Sequence, residues 1–277
     1  ANRNIDLELH AGEVRGLAGE NGSGKSTLLS QIAGLYGSDE GVIILGGEQY
    51  KPSSPIDAQN HGIAMIVQEL GMIGNLPSGI NIFMGKTKRF SKGPFLSLKK
   101  FYDEAEEVRK KWDLPPLNFK RMAGTMNVEQ RKMMELVRAL ACDPKILILD
   151  EVTQSLSQDN RQVIYKVIER CKAEGRAILM ISHDLEETMR ISDTISVLRD
   201  GEMIGTVEAK NISEDELKKM MVGREISGAY YRDDNEETHG DKVMFSMKGV
   251  SSPTGLKDLS FEVRDGEIIA FCGLSDS

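Results

Sequence analysis

Gly19, Glu20, Asn21, Gly22, Ser23, Gly24, Lys25, Ser26 and Thr27 follow an apolar run ending at Ala18 and precede a stretch of helical periodicity. Their spacing is G-x-x-x-x-G-K-[ST], in which glycines let the backbone curl until successive amide N–H groups face one centre. A helix beginning near Lys25 adds the positive end of its dipole to that centre. Such a loop suits the cradling of a triphosphate, with the Lys25 ammonium at the β- and γ-phosphates and the Ser26 hydroxyl on Mg²⁺. The bland alternative is a glycine-rich turn, and the strand before and helix after argue against it.

Three further runs end in polar groups. Lys145 to Leu149 is apolar after its lysine and leads into Asp150 and Glu151. Parallel sheets place ligand-binding groups at strand tips, so Asp150 can hold Mg²⁺ through water while Glu151 polarises an attacking water. The competing reading is a core strand followed by a solvated acidic turn, and it loses weight beside the phosphate loop. Met65, Ile66 and Val67 lead to Gln68, a candidate for contact with Mg²⁺ or the water; Leu179 to Ile181 lead through Ser182 to His183, a candidate for reaching the γ-phosphate. A lone histidine is more often structural, and order along the chain is what raises these two.

The elements that must position these groups alternate. Strand-like runs at Glu13 to Ala18, Gly62 to Val67, Lys145 to Leu149, Arg176 to Ile181 and Thr194 to Leu198 are separated by helical stretches. The pattern predicts an α/β fold with a mostly parallel sheet. Asp200 and Gly201 between Thr194–Leu198 and Met203–Val207 predict an antiparallel hairpin. Residues 71–142 read as a helical subdomain inserted into the core, with Leu98 to Trp112 rich in paired charges and Val128 to Cys142 apolar at helical spacing. Ser213 with Glu216 forms a capping box for a helix that closes the first domain, residues 1–226. Residues 227–242 are polar and acidic and read as a linker, with a second domain over 243–277.

An internal repeat supports that division. Ile5 to Val14 matches Leu259 to Ile268 in its alternation and in the Gly-Glu pair, Gly12 falling on Gly266. In the same register Gly19 falls on Gly273 and Gly22 on Asp276, so the chain ends inside an altered second copy of its own phosphate loop.

Composition narrows the function classes. Hydrophobic residues make up 40% of 277, enough for a packed core. Lys and Arg total 35 against 43 Asp and Glu, a net charge of −8 that repels nucleic acid. Cys142, Cys171 and Cys272 are too scattered for a zinc site or redox pair and read as reduced thiols. No apolar run has a membrane span's length, and Ala1 to His10 lacks a signal-peptide layout.

The order of phosphate loop, Gln68, helical insert, acidic strand and His183 resembles the ATP-binding-cassette (ABC) ATPase superfamily. The resemblance implies a P-loop NTPase of ABC type, with a mostly parallel core, an antiparallel β subdomain and an inserted helical subdomain. Asn81 to Gly85, Ile181 to Glu187, Val197 to Gly201 and Met220 to Arg224 look more narrowly like the tandem ATPase subunits of simple-sugar importers. That family implies two ATPase domains on one polypeptide that sandwich two ATPs with Mg²⁺. They sit at the cytoplasmic face of the cell membrane and drive permease subunits fed by a sugar-binding protein, with no nucleic-acid partner.

Several positions depart from the family pattern. Its signature, Leu-Ser-Gly-Gly-Gln or Leu-Ser-Val-Gly-Gln, aligns with Met126, Asn127, Val128, Glu129 and Gln130, and the sandwich places it against the opposite domain's phosphates. A carboxylate at Glu129 would be a like-charge contact there. The acidic strand is followed by Val152 and Thr153 where Pro-Thr is usual. The resemblance also implies an adenine-stacking aromatic upstream of Ile5, and the chain begins after it. A nucleotide-binding regulatory module with little turnover is the competing reading: Lys25, Asp150, Glu151 and His183 favour catalysis, Asn127 and Glu129 the module.

Overall fold

The structure is a computed structural model that describes residues 2–67, 71–92, 95–223, 239–252 and 257–271. By contact the chain divides into two units, Ala1–Glu225 and Ile226–Ser277. In the first unit, β1 (Val14–Ala18) is buried at every residue and runs into α1 (Lys25–Ile32). A short antiparallel pair follows, β2 (Ile43–Leu45) with β3 (Glu48–Tyr50), then α2 (Pro55–Asn60), capped by the Ser54 side chain, and β4 (Ile63–Ile66).

The insert comes next: α3 (Ser78–Ile82), the antiparallel pair β5 (Ser91–Lys92) and β6 (Phe95–Leu96), α4 (Leu98–Lys111) and α5 (Val128–Leu140). Phe90 stacks on Phe101 with ring centroids 4.1 Å apart, beside Phe83, and this aromatic group forms part of one core with the sheet. The chain then returns to the sheet with β7 (Ile146–Asp150), α6 (Gln158–Ala173), β8 (Ala177–Ile181), α7 (Leu185–Ile191), β9 (Thr194–Arg199), β10 (Glu202–Glu208) and α8 (Glu214–Val222).

The main sheet has six strands in the order β10-β9-β1-β8-β7-β4, parallel except for β10 against β9. Both faces are covered, as parallel sheets require. Leu147, Leu149, Ile178 and Met180 belong to the core shared with α5, α6 and the insert, whereas Ile148, Leu179 and Ile181 belong to the core shared with Leu28 and Leu29 of α1. Leu185 of α7 and Leu217 of α8 pack with Ile195 and Val197 of β9 in a third cluster. Because the period of a strand is 2, these near-continuous apolar runs serve two layers at once.

The hairpin expected at Asp200 and Gly201 forms, with φ of 52° and 83° at the two turn residues, as a two-residue hairpin loop demands. The Ser213–Glu216 capping box opens α8. Ile5 to Leu9 alternates half-buried and exposed residues but forms no strand; Ile5, Leu7 and Leu9 pack on the α1-side core without a ladder partner among the described residues. The 71–142 insert is mainly helical, with the two-residue strands β5 and β6 inside it.

In the second unit, β11 (Val243–Val250) pairs antiparallel with β12 (Leu259–Arg264). Gly273 and Asp276, the altered copy of the phosphate loop, lie outside the described residues, as does Cys272.

Candidate active site

The carboxyl ends of β1, β7 and β8 open on one edge of the sheet, in a register that pairs Asp150 with Ile181. The loop after β1 is the phosphate loop. Gly19 has φ 156°, and a Cβ there would lie 2.2 Å from the Leu198 carbonyl oxygen, so only glycine lets the loop pass so close to β9. Gly24 caps α1 in the left-handed region at φ 102°, where a Cβ would meet Asn2 Oδ1 at 1.8 Å. The Lys25 ammonium folds back over the loop, donating to the carbonyl oxygens of Gly19 at 2.8 Å and Glu20 at 2.9 Å, with Ser23 Oγ at 3.5 Å.

Asn21, Gly22, Gly24, Lys25, Ser26 and Thr27 line a cleft of about 540 Å³, and Glu151 and His183 line it with them. Glu151 Oε1 stands 2.6 Å from His183 Nε2; the carboxylate is buried and the imidazole is exposed. Burial pushes the Lys25 ammonium below its ordinary range, and the neighbouring carboxylates of Glu151 and Asp150 oppose that shift. Asp150 is pushed up by burial and by Glu151, with Lys132, Lys25 and His183 acting in the opposite direction. Asp150 Oδ1 is buried without a hydrogen-bond partner among the described residues. A buried, orphaned carboxylate oxygen near a cleft lined by the Ser26 hydroxyl is a donor set of the hard-oxygen kind that suits Mg²⁺.

Glu151 has φ 52°, a left-handed conformation that a non-glycine residue adopts at a cost. Its N–H donates to the Ile181 carbonyl at 3.0 Å, which anchors the acidic tip to the end of β8. Gln68 lies outside the described residues.

Asn127, Val128, Glu129 and Gln130 are not among the residues lining the cleft. Asn127 is the N-cap of α5 and forms a capping box with Gln130, accepting from its N–H at 2.8 Å. Glu129 is turned onto its own chain: Oε1 accepts the Ser157 N–H at 2.5 Å at the start of α6, and hydrogen bonds from Ser157 and Asn160 hold its carboxyl below the usual range.

Two supports escaped the sequence reading. Asn2 donates to the Gly24 carbonyl at 3.1 Å, and the Gly201 N–H donates to the Ser23 carbonyl at 3.1 Å, so the β9–β10 turn braces the phosphate loop. Under the acidic tip, the buried Lys132 of α5 donates to the Val67 carbonyl at 2.6 Å, while Glu135 accepts the Gly71 N–H at 2.8 Å. Both flanks of the Gln68 segment are thereby tied to α5. Charged residues among Met133, Met134, Leu136 and Val137 were the signal available for that network.

With this geometry in view, the family profile described as "ABC transporter" matches residues 2–154. A "Putative ribose/galactose/methyl galactoside import ATP-binding protein" of Halalkalibacterium halodurans is 36% identical over 273 residues, 99% of this chain and 52% of that protein. "Ribose import ATP-binding protein RbsA" of Clostridium perfringens is 38% identical over 275 residues, 99% of this chain and 54% of that protein. The chain thus spans about half the length of these relatives. Among solved structures, the ADP conformation of MJ1267, an ATP-binding cassette of an ABC transporter, superposes with a TM-score of 0.62 at 24% identity, covering 79% of this chain and 87% of that one; it shares the fold.

Proposed function

The chain belongs to the ABC transporter family, and from that membership we propose that it binds ATP with Mg²⁺ and hydrolyses it to energise import of a simple sugar through a membrane permease. The observation that carries the proposal is one cleft lined by Lys25, Ser26, Glu151 and His183. In it, Lys25 exchanges its contacts with the loop carbonyls for β- and γ-phosphate oxygens, and the loop N–H groups and the α1 N-terminus take up the remaining charge. Ser26 and Asp150 would hold Mg²⁺, with Gln68 assigned the same task by family resemblance. A cation held there would supply positive charge against the terminal phosphates.

Glu151 orients the water and accepts its proton as the water oxygen bonds to the γ-phosphorus and the bond to the ADP oxygen breaks. His183 fixes the Glu151 carboxylate and reaches the γ-phosphate. The relatives' names support a sugar cargo, and their length supports a second ABC domain on the same polypeptide. The full protein works at the cytoplasmic face of the cell membrane, bound to permease subunits and served indirectly by a sugar-binding protein. Among the described residues no helix is long and apolar enough to cross a membrane.

The turn of Glu129 onto Ser157 supports turnover over the regulatory-module reading, because the carboxylate is occupied within its own chain. The chain by itself is expected to bind ATP and hydrolyse it slowly, because two copies would offer each other only Asn127, Val128 and Glu129 where the family places its signature. The test is ATP-dependent uptake of labelled ribose, galactose and xylose into proteoliposomes holding the full-length protein and its permease. Uptake of one sugar that stops when ATP is omitted supports the proposal; ATPase activity indifferent to permease and sugar overturns the transport assignment.

A further inference from the structure

The Glu187 side chain, in the first turn of α7, is only 4% exposed and accepts three hydroxyl hydrogen bonds from three separate segments. Thr153 Oγ1 donates to Oε2 at 2.7 Å and Ser182 Oγ donates to the same oxygen at 2.5 Å. Tyr165 Oη of α6 donates to Oε1 at 2.5 Å.

The two donors on Oε2 have special addresses. Thr153 is two residues after Glu151, and Ser182 directly precedes His183. The 2.6 Å contact of Glu151 with His183 closes a ring: Glu151 through the chain to Thr153, across Glu187 to Ser182, through the chain to His183 and back. Each covalent stretch in the ring spans at most two residues, so the Glu187 carboxylate, together with the Glu151 N–H bond to Ile181, restrains how far apart the Glu151 and His183 backbones stand. Glu151 needs such a restraint, because its φ of 52° is a conformation that persists only where the surroundings over-determine it. The α7 backbone is held in turn, the Glu187 N–H donating to the Asp184 cap at 3.0 Å. The Tyr165 bond lies outside the ring and ties Glu187 to α6.

We propose that Glu187 is a positioning residue for ATP hydrolysis, setting the separation of Glu151 and His183 through Thr153 and Ser182. The inference rests on the proposed ATPase reading. Glu187 is not among the residues lining the cleft, so its loss is expected to act on turnover with nucleotide affinity kept. Misplacement of a reacting group by about 1 Å costs on the order of 100-fold in rate, so a partly relaxed ring should cost roughly 10- to 100-fold.

The experiment compares four single variants of the full-length protein: Glu187→Leu, Glu187→Gln, Thr153→Val and Tyr165→Phe. For each, steady-state kcat, affinity for a non-hydrolysable ATP analogue and melting temperature are measured. Thr153→Val keeps side-chain shape and removes one ring bond, so it serves if Glu187→Leu does not fold. The expected pattern is a kcat loss of roughly 10-fold or more in Thr153→Val and Glu187→Leu at near-normal analogue affinity. Partial rescue is expected in Glu187→Gln, whose amide oxygen can still accept from both ring hydroxyls. Tyr165→Phe loses a part-buried bond to the same carboxylate and should keep its kcat while losing stability. Equal kcat in wild type and Thr153→Val overturns the proposal, as does an equal kcat loss in Thr153→Val and Tyr165→Phe, which would mark a purely structural carboxylate. A wild-type full-length protein that releases no phosphate defeats the ATPase reading itself, and the positioning role with it.

Discussion

Lys25 and Asp150 carry the opposite halves of the site's electrostatics, and burial works against both of them. Hydrogen bonds to charged groups contribute about 1.5–3 kcal/mol each. Lys25→Ala should therefore weaken ATP binding by roughly 10- to 100-fold, read by titration with a fluorescent ATP analogue; equal affinity would remove the lysine from the phosphates. Asp150 gives a different signature. Its carboxyl is raised above its ordinary value in the fold, so the folded state holds the proton more tightly than the unfolded chain. The resulting deficit in stability develops as pH rises through the span between the unfolded and folded values and is fully present above it. Asp150→Asn is thus expected to raise the melting temperature of the nucleotide-free protein at pH 7 by on the order of 2 °C while abolishing Mg²⁺-dependent turnover. A lower melting temperature would mean that the ionised carboxylate has a stabilising partner.

At the scale of elements, the α5–α6 contact is the feature with a measurable consequence. Glu129 in the first turn of α5 accepts the Ser157 N–H that precedes α6, and its carboxyl is held below the ordinary value. Stability from such a depressed carboxyl is present above its unfolded value and is lost as pH falls through the folded one. Glu129→Gln should lower the melting temperature at pH 7 by on the order of 2 °C, and the gap should close as pH drops below 4.5. A gap independent of pH would place the effect in packing. Much of this layer was legible beforehand: apolar runs bounded by Gly, the Asp200–Gly201 turn and the Ser213–Glu216 box each carry a local physical signature. The β2–β3 pair was not, since three-residue strands are too short to show alternation. Ile5 to Leu9 has the alternation but no neighbouring strand, and pairing is not a local property. Asn127 and Gln130 were read for their place opposite a phosphate, whereas the same spacing also writes a capping box. Lys132 and Glu135 looked like ordinary helix charges, because burial of a polar side chain depends on what packs above it.

On the scale of the whole molecule, a doubly covered sheet delivers the ends of three parallel strands to one edge, and the phosphate loop, the acidic tip and the histidine arrive there from positions far apart in sequence. That edge was the part of the site best foretold, because strand-tip chemistry is written in contiguous residues. The braces from Asn2 and Gly201 and the ring through Glu187 were not, since each joins segments by contacts that no spacing rule encodes. The central claim is that Glu151 is the group that accepts the proton of the attacking water in a site otherwise built for binding. It is tested most directly by measuring ATP affinity and steady-state phosphate release side by side for the full-length protein and its Glu151→Gln variant. The expected result is unchanged affinity with turnover reduced by roughly 10²- to 10⁴-fold; phosphate release at the wild-type rate in the variant would contradict it.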